Sequence, residues 1–175
     1  MLIKDRIRTI LDHPKPGIQF RDITTLLQDP IGMGLTIDKM VEQYKGVHID
    51  KVVGVEARGF ILGGAVAHQV RAGFVPVRKK GKLPWNTIGQ DYELEYGTDR
   101  VEMHTDAIVE GERVLLVDDL IATGGTALAT LEMIQRIGGE IVGCAFVIDL
   151  PDLGGSRRIA ERGFAVTSLC SFEGE

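Results

Sequence analysis

The sequence predicts an α/β fold, a parallel sheet covered by helices on both faces, and three observations carry that prediction. Short continuous apolar runs recur along the chain: Val52-Val53-Gly54-Val55, Phe74-Val75-Pro76-Val77, Val114-Leu115-Leu116-Val117, Ile141 to Ile148 and Phe164 to Leu169. Stretches of helical spacing stand between most of them, and strand, helix, strand succession within one sheet implies right-handed crossovers and parallel pairing. The runs do not alternate with polar residues, as expected of strands buried on both faces. At 175 residues, 44% hydrophobic and 26% charged, the chain can bury one continuous core, so a single domain over residues 1–175 is expected.

The elements follow in order. Leu2, Ile3, Ile7, Ile10 and Leu11 recur at helical spacing and predict an amphipathic helix, ended by His13-Pro14-Lys15-Pro16-Gly17. After Asp29-Pro30, the stripe Met33, Ile37, Met40, Val41 and Tyr44 predicts a second helix that stops at Gly46. The strand ending at Val55 leads through the turn-like Glu56-Ala57-Arg58-Gly59 into a small-residue helix from about Phe60 to Val70. After the strand at Val77, residues 79–97 are rich in turn formers and polar groups and are expected to form a mobile loop. Arg100-Val101-Glu102-Met103-His104 alternates polar and apolar, as an antiparallel arm beside the parallel core does. The strand ending at Val117 runs through Asp118 to Gly125 into a helix that closes at Gly138-Gly139. A strand from Ile141, a helix from Ser156 to Arg162 and a last strand from Phe164 complete the pattern.

Charge narrows the partners. Lys plus Arg number 20 against 25 Asp plus Glu, a net charge of −5, which disfavours a nucleic-acid coat. No apolar run approaches the roughly 18–20 residues that span a bilayer, so neither nucleic acid nor membrane is an expected partner and a cytoplasmic location is. Cys144 and Cys170 sit in apolar stretches without metal-ligand spacing and read as reduced core thiols. His13, His48, His68 and His104 also lack ligand spacing.

In parallel sheets, ligands bind beyond the carboxyl ends of the strands. The richest such place is Asp118-Asp119-Leu120-Ile121-Ala122-Thr123-Gly124-Gly125-Thr126. Ala122, Gly124 and Gly125 let backbone N–H groups approach an anion, Thr123 and Thr126 add hydroxyls, and the helix N-terminus adds the positive end of its dipole. No Gly-Lys-Ser/Thr follows and the spacing is not G-x-G-x-x-G, so this is neither a Walker nor a dinucleotide loop. Adjacent carboxylates repel phosphate and should face sugar hydroxyls or a shared magnesium ion. Helix capping would use one Asp and one Thr, not both acids and the glycine pair. A ribose phosphate fits the whole set.

Two acids followed by Thr-Gly-Gly-Thr resemble the phosphoribosyl pyrophosphate signature of the type I phosphoribosyltransferases. Three further segments lie in the family's order. Glu56-Ala57-Arg58-Gly59-Phe60 resembles its pyrophosphate loop. Arg78-Lys79-Lys80-Gly81-Lys82-Leu83-Pro84, continuing to Tyr92-Glu93-Leu94-Glu95-Tyr96-Gly97, is similar to the flexible catalytic loop of the members that use adenine. Pro16-Gly17-Ile18-Gln19-Phe20-Arg21-Asp22-Ile23 is similar to their base-binding hood, placed in about residues 1–30. The resemblance runs from about Pro14 to Thr126 and is only architectural beyond Gly138.

The resemblance implies a type I phosphoribosyltransferase core with a small N-terminal hood, transferring phosphoribose from phosphoribosyl pyrophosphate to adenine N9 to give AMP and pyrophosphate. By similarity, Gln19, Phe20 and Arg21 hold adenine, with Phe20 stacking on the purine. Asp118 and Asp119 meet the ribose hydroxyls, and Ala122, Thr123, Gly124, Gly125 and Thr126 bind the 5'-phosphate. Glu56, Ala57, Arg58, Arg78, Lys79 and Lys82 bind pyrophosphate, with Arg78 reaching across the interface of a homodimer. Glu95 is the implied catalytic residue, and Mg2+ is the implied cofactor, held mainly by substrate oxygens. Ala57 departs from several members, which carry Ser there. Alternatives are transfer to another purine base, and a phosphoribosyl pyrophosphate-sensing regulator; the latter needs a DNA-binding extension, and no helix-turn-helix pattern precedes the hood.

Overall fold

The computed structural model describes residues 2–174 of the chain. Strands β3 (Lys51–Val55), β4 (Gly73–Lys79), β7 (Arg113–Ile121), β8 (Glu140–Asp149) and β9 (Val166–Ser171) pair in parallel. β5 (Thr87–Leu94) and β6 (Gly97–His104) extend this sheet antiparallel, giving the order β5-β6-β4-β3-β7-β8-β9. A separate two-stranded sheet joins β1 (Arg8–Leu11) to β2 (Gln19–Asp22).

The period of two along each strand explains the continuous apolar runs. Val53, Val55, Val75, Val77, Leu116 and Phe146 pack on one face beneath helix α4 (Gly125–Arg136) and Ile159 of α5 (Gly155–Glu161). Val52, Leu115, Val117, Ala145 and Val147 pack on the other beneath α2 (Pro30–Glu42) and α3 (Arg58–Val70), which follow the short helix α1 (Thr24–Leu27). Every second residue therefore has a helix over it, and none needs to be polar. Helix α2 starts as the sequence predicts: the Asp29 carboxylate accepts from the Ile31 amide and Pro30 takes the first turn. Cys144 and Cys170 are free thiols, and burial pushes Cys144 up to about 12.

Two expectations are overturned. The helix expected from Leu2 to Leu11 is a 3-10 turn at Ile3–Arg6 followed by strand β1. Ile3 and Ile7 are buried, but Leu11 is 69% exposed, so the apolar residues do not share one face. Pairing with β2 satisfies the backbone in a way that helical spacing could not reveal. The stretch 79–97, expected as a loop throughout, is irregular over residues 80–86 and then forms strand β5, which pairs with β6 over eight residues. Its turn-like Gly89 has a different reason: the Arg100 guanidinium occupies the place a Cβ would need. Strand β7 also continues past Val117, so the two acids lie on the strand and point to opposite sides.

The hood is fastened by Asp22. Its carboxylate accepts from Arg8 Nη2 at 2.6 Å, the Thr24 amide at 2.9 Å and the Thr24 hydroxyl at 2.7 Å. The Arg8 hydrogen bond, then the Thr24 amide, lower its pKa from 3.8 to about 2. A depressed carboxylate stabilises the fold above its unfolded pKa and ceases to do so as pH falls through the folded one. Asp22→Asn is expected to cost about 1–2 kcal/mol at pH 7, less than the full shift because solvent screens the exposed Arg8. Urea titrations of both proteins should converge between pH 4 and pH 2; a constant gap would show that the ion pair does not anchor the hood.

Candidate active site

The carboxyl end of β7 delivers Asp118 and Asp119, and residues 122–124 then turn into α4. Gly124 has φ 89°, a left-handed conformation that glycine adopts without strain. The loop is held from outside: the Gly155 amide donates to Ala122 O at 2.9 Å and Arg158 Nη1 donates to Thr123 O at 2.6 Å. Among the described residues, no group accepts from the amides of Thr123 to Thr126 beyond the regular bonding of strand and helix. The carbonyls are thus engaged while the amides at the helix N-terminus remain available, the arrangement an oxyanion needs.

The two acids do different work. Asp119, 8% exposed, accepts from Arg58 Nε at 2.6 Å. That hydrogen bond foremost raises the Arg58 pKa, so the guanidinium stays charged. Asp118 is half-buried, its Oδ1 accepts from the Asp119 amide at 2.8 Å, and removal from water, followed by the Asp119 charge, pushes its carboxyl well up. Gly59 at the start of α3 makes this packing possible, since a Cβ there would stand 2.9 Å from Asp118 Oδ1.

Two adjoining cavities open on opposite sides of this strand end, and Leu120 lines both. One, of about 440 Å³, brings Gln19, Phe20 and Arg21 of the hood against Arg58, Asp119 and Glu95, with Leu150 and Leu153 as apolar walls. Half-buried Phe20 meets His13 edge to face, with ring centroids 5.1 Å apart, leaving an aromatic surface suited to a flat heterocycle. The other, of about 340 Å³, contains Asp118, residues 122–126, Lys79 and Tyr92. Here the β5–β6 hairpin reaches over the helix N-terminus: a Cβ on Gly125 would meet the Tyr92 ring at 3.2 Å.

The remaining residues singled out in the sequence are distributed unevenly. Glu56 accepts from the Lys79 amide at 2.6 Å and Lys82 Nζ at 2.9 Å, with Arg78 Nε 3.6 Å away. Burial pushes its carboxyl up, but these partners outweigh it and hold the group below the usual range. Arg78 and Lys82 line neither cavity; Glu56 gathers them beside it. Lys79 faces the loop of residues 122–126 and donates to Asp99 at 2.6 Å and to Tyr92. Ala57 is exposed and follows a cis peptide bond from Glu56. Sequence reasoning missed Tyr92 and Asp99 as partners of Lys79, because only hairpin register brings them together. It also missed the walls Leu150 and Leu153, where the sole signal was their position after the carboxyl end of β8.

A strand-end acid pair flanked by an amide-lined helix start on one side and an aromatic slot on the other defines a nucleotide-forming transferase. The chain belongs to the phosphoribosyl transferase family, whose domain model, described as "Phosphoribosyl transferase domain", matches residues 27–167. Adenine phosphoribosyltransferases are among the relatives that match it over nearly its whole length. It is 62% identical over 174 residues to that of Maricaulis maris, covering 99% of each chain. Among solved structures, the adenine phosphoribosyltransferase of Rhodothermus marinus matches with a TM-score of 0.92 and 54% identity, over 97% of this chain and 96% of that one. The enzyme of Saccharomyces cerevisiae, complexed with an imino-altritol bisphosphate and adenine, matches with a TM-score of 0.89 and 36% identity, over 95% and 96%. The parallel core, helices on both faces and recognition of the family from its motifs are thereby borne out.

Proposed function

We propose that this chain is a purine salvage enzyme that transfers the 5-phosphoribosyl group from phosphoribosyl pyrophosphate to N9 of adenine, giving AMP and pyrophosphate. The observation that carries the reading is the pair of adjoining cavities, one aromatic and one lined by free amides, meeting at Asp118, Asp119 and Leu120. The 5'-phosphate sits on residues 122–126, the ribose hydroxyls meet Asp118 and Asp119, and the diphosphate lies toward Arg58. Adenine stacks on Phe20, where the backbone of Gln19 and Arg21 reads its edge. The N9–C1' bond forms as the C1'–O bond breaks, the electron pair leaves with pyrophosphate, and Glu95 takes the purine proton. The hairpin over the site excludes water that would hydrolyse the activated sugar.

Among the described residues, no group of three His, Cys, Asp or Glu is arranged to hold a metal. Arg58 bonds Asp119 and leaves Asp118 without a cationic hydrogen-bond partner among the described residues, so an Mg2+ carried on the oxygens of the substrate would offset the unfavourable charge of the acid pair. When bound, that ion offsets the charge of the diphosphate leaving group. A homodimer is the working unit in this reading: Arg78, which lines neither cavity of its own chain, serves the partner's diphosphate. Residues 1–175 act as one domain, in which about 1–30 form the hood and 79–97 the catalytic hairpin. Its net negative charge, its free thiols and the absence of any described helix long and apolar enough to cross a membrane support a cytoplasmic enzyme.

The test is pyrophosphate release from phosphoribosyl pyrophosphate and Mg2+ with adenine, hypoxanthine, guanine, xanthine or orotate offered separately. Adenine-dependent release with AMP formed supports the proposal. Release with another base moves the substrate and the role of Phe20, and binding without turnover on every base points to a sensor. Asp119→Asn is expected to weaken phosphoribosyl pyrophosphate binding at least about tenfold in a calorimetric titration, because it replaces one of the two acceptor oxygens by a donor and removes the negative charge that pairs with Arg58. Unchanged affinity would take Asp119 out of the binding site.

A further inference from the structure

Beyond the residues that touch the base, we infer that Phe172, just after the last strand, is a positioning residue for base binding. It holds the hood over the base cavity through the π-face of its ring. The inference rests on the proposed reading of that cavity as the adenine site.

Three observations converge on this side chain. Its ring is flanked by two cations from the N-terminal region, with Arg21 Cζ 4.3 Å and Lys4 Nζ 4.6 Å from the centroid. Arg21 Nη1 donates to Thr9 Oγ1 at 2.6 Å and Nη2 to Gln19 Oε1 at 3.0 Å, but its buried Nε has no hydrogen-bond partner among the described residues. The aromatic face is what compensates that part of the guanidinium. Finally, the Phe172 amide donates to Asp149 O at 3.1 Å and the Gly174 amide to Asp152 Oδ2 at 2.7 Å. The tail is therefore pinned to the segment at the end of β8 that carries Leu150 and Leu153.

Arg21 is one wall of the base cavity, and Leu150 and Leu153 are another. Phe172 is bonded to the second wall through its backbone and to the first through its ring. It fixes the distance between the two walls without lining the cavity. The loop at residues 122–126, read as the 5'-phosphate site, lies in the other cavity, which no tail residue lines. The effect of losing the ring should fall on the base and spare the sugar phosphate.

The experiment measures KM for adenine and for phosphoribosyl pyrophosphate, with thermal melting, in the wild type and in Phe172→Ala, Phe172→Leu and Phe172→Tyr. Phe172→Ala is expected to raise KM for adenine about tenfold while KM for phosphoribosyl pyrophosphate stays within about twofold. Phe172→Tyr, which keeps the π-face, should restore the wild-type value; Phe172→Leu, which keeps apolar bulk alone, should not. A merely structural role would lower the melting temperature and move both KM values together, or be rescued equally by Leu, and either result overturns the inference. If the wild type makes AMP and Phe172→Ala matches it in KM for adenine, the inference fails and the function stands. If the wild type makes no AMP, the function fails and the inference with it.

Discussion

Glu95→Gln is expected to lower turnover with adenine by two or more orders of magnitude while leaving the affinity for phosphoribosyl pyrophosphate within a few fold. The size follows from the loss of a positioned proton acceptor, which is generally worth about 10²–10⁴ in rate. The selectivity follows from chemistry, since a proton acceptor for the base is not needed to hold the sugar phosphate. Glu95 stands at the turn of the β5–β6 hairpin and lines the cavity shared by Phe20 and Arg21. Glutamine keeps the shape and removes only the capacity to take a proton. Single-turnover rates together with a binding titration check the two halves separately. Turnover near wild type would remove Glu95 from the proton transfer.

Gly155→Val should produce a loss as large through geometry alone. A Cβ at Gly155 would stand 2.5 Å from Ala122 O, 2.8 Å from Gly124 N and 2.9 Å from Ile121 Cγ1. The first two are backbone atoms, so no rotamer change relieves the contact and the loop of residues 122–124 must move. Displacing a substrate-positioning loop by a fraction of an ångström to an ångström costs about 10²-fold. The expected result is kcat/KM for phosphoribosyl pyrophosphate lowered by that order, dominated by KM, in a protein that still melts cooperatively. An unchanged KM would show that the loop does not bind the phosphate.

Much of the site was legible because its residues are neighbours in sequence. Asp118 to Thr126 and Glu56 to Gly59 each form a strand end, a turn and a helix start within a few residues, and local chemistry suffices to read them. The hood was legible in its residues but not in its backbone. The spacing of Leu2, Ile3, Ile7, Ile10 and Leu11 suits a helix, and only pairing with Gln19–Asp22 draws Arg8–Leu11 out as a strand. Arg78, Lys79 and Lys82 read as one cationic group, yet they separate: Lys79 turns toward Tyr92 and Asp99, and Arg78 and Lys82 gather at Glu56. Charge identity is local, whereas the choice of counter-ion depends on strand register.

The sequence by itself determined the succession of parallel strands and helices in the core, the acid pair, the glycine-bearing loop after it and the family, since each is encoded in periodicity or in contiguous residues. Tertiary structure alone decided that the hairpin closes over that loop, that Asp118 and Asp119 face different cavities, and that residues near both termini meet at Phe172. The reason is physical: side-chain periodicity and turn chemistry act over a few residues. Contacts between segments distant in sequence are set by which surfaces remain to be buried once the sheet has formed.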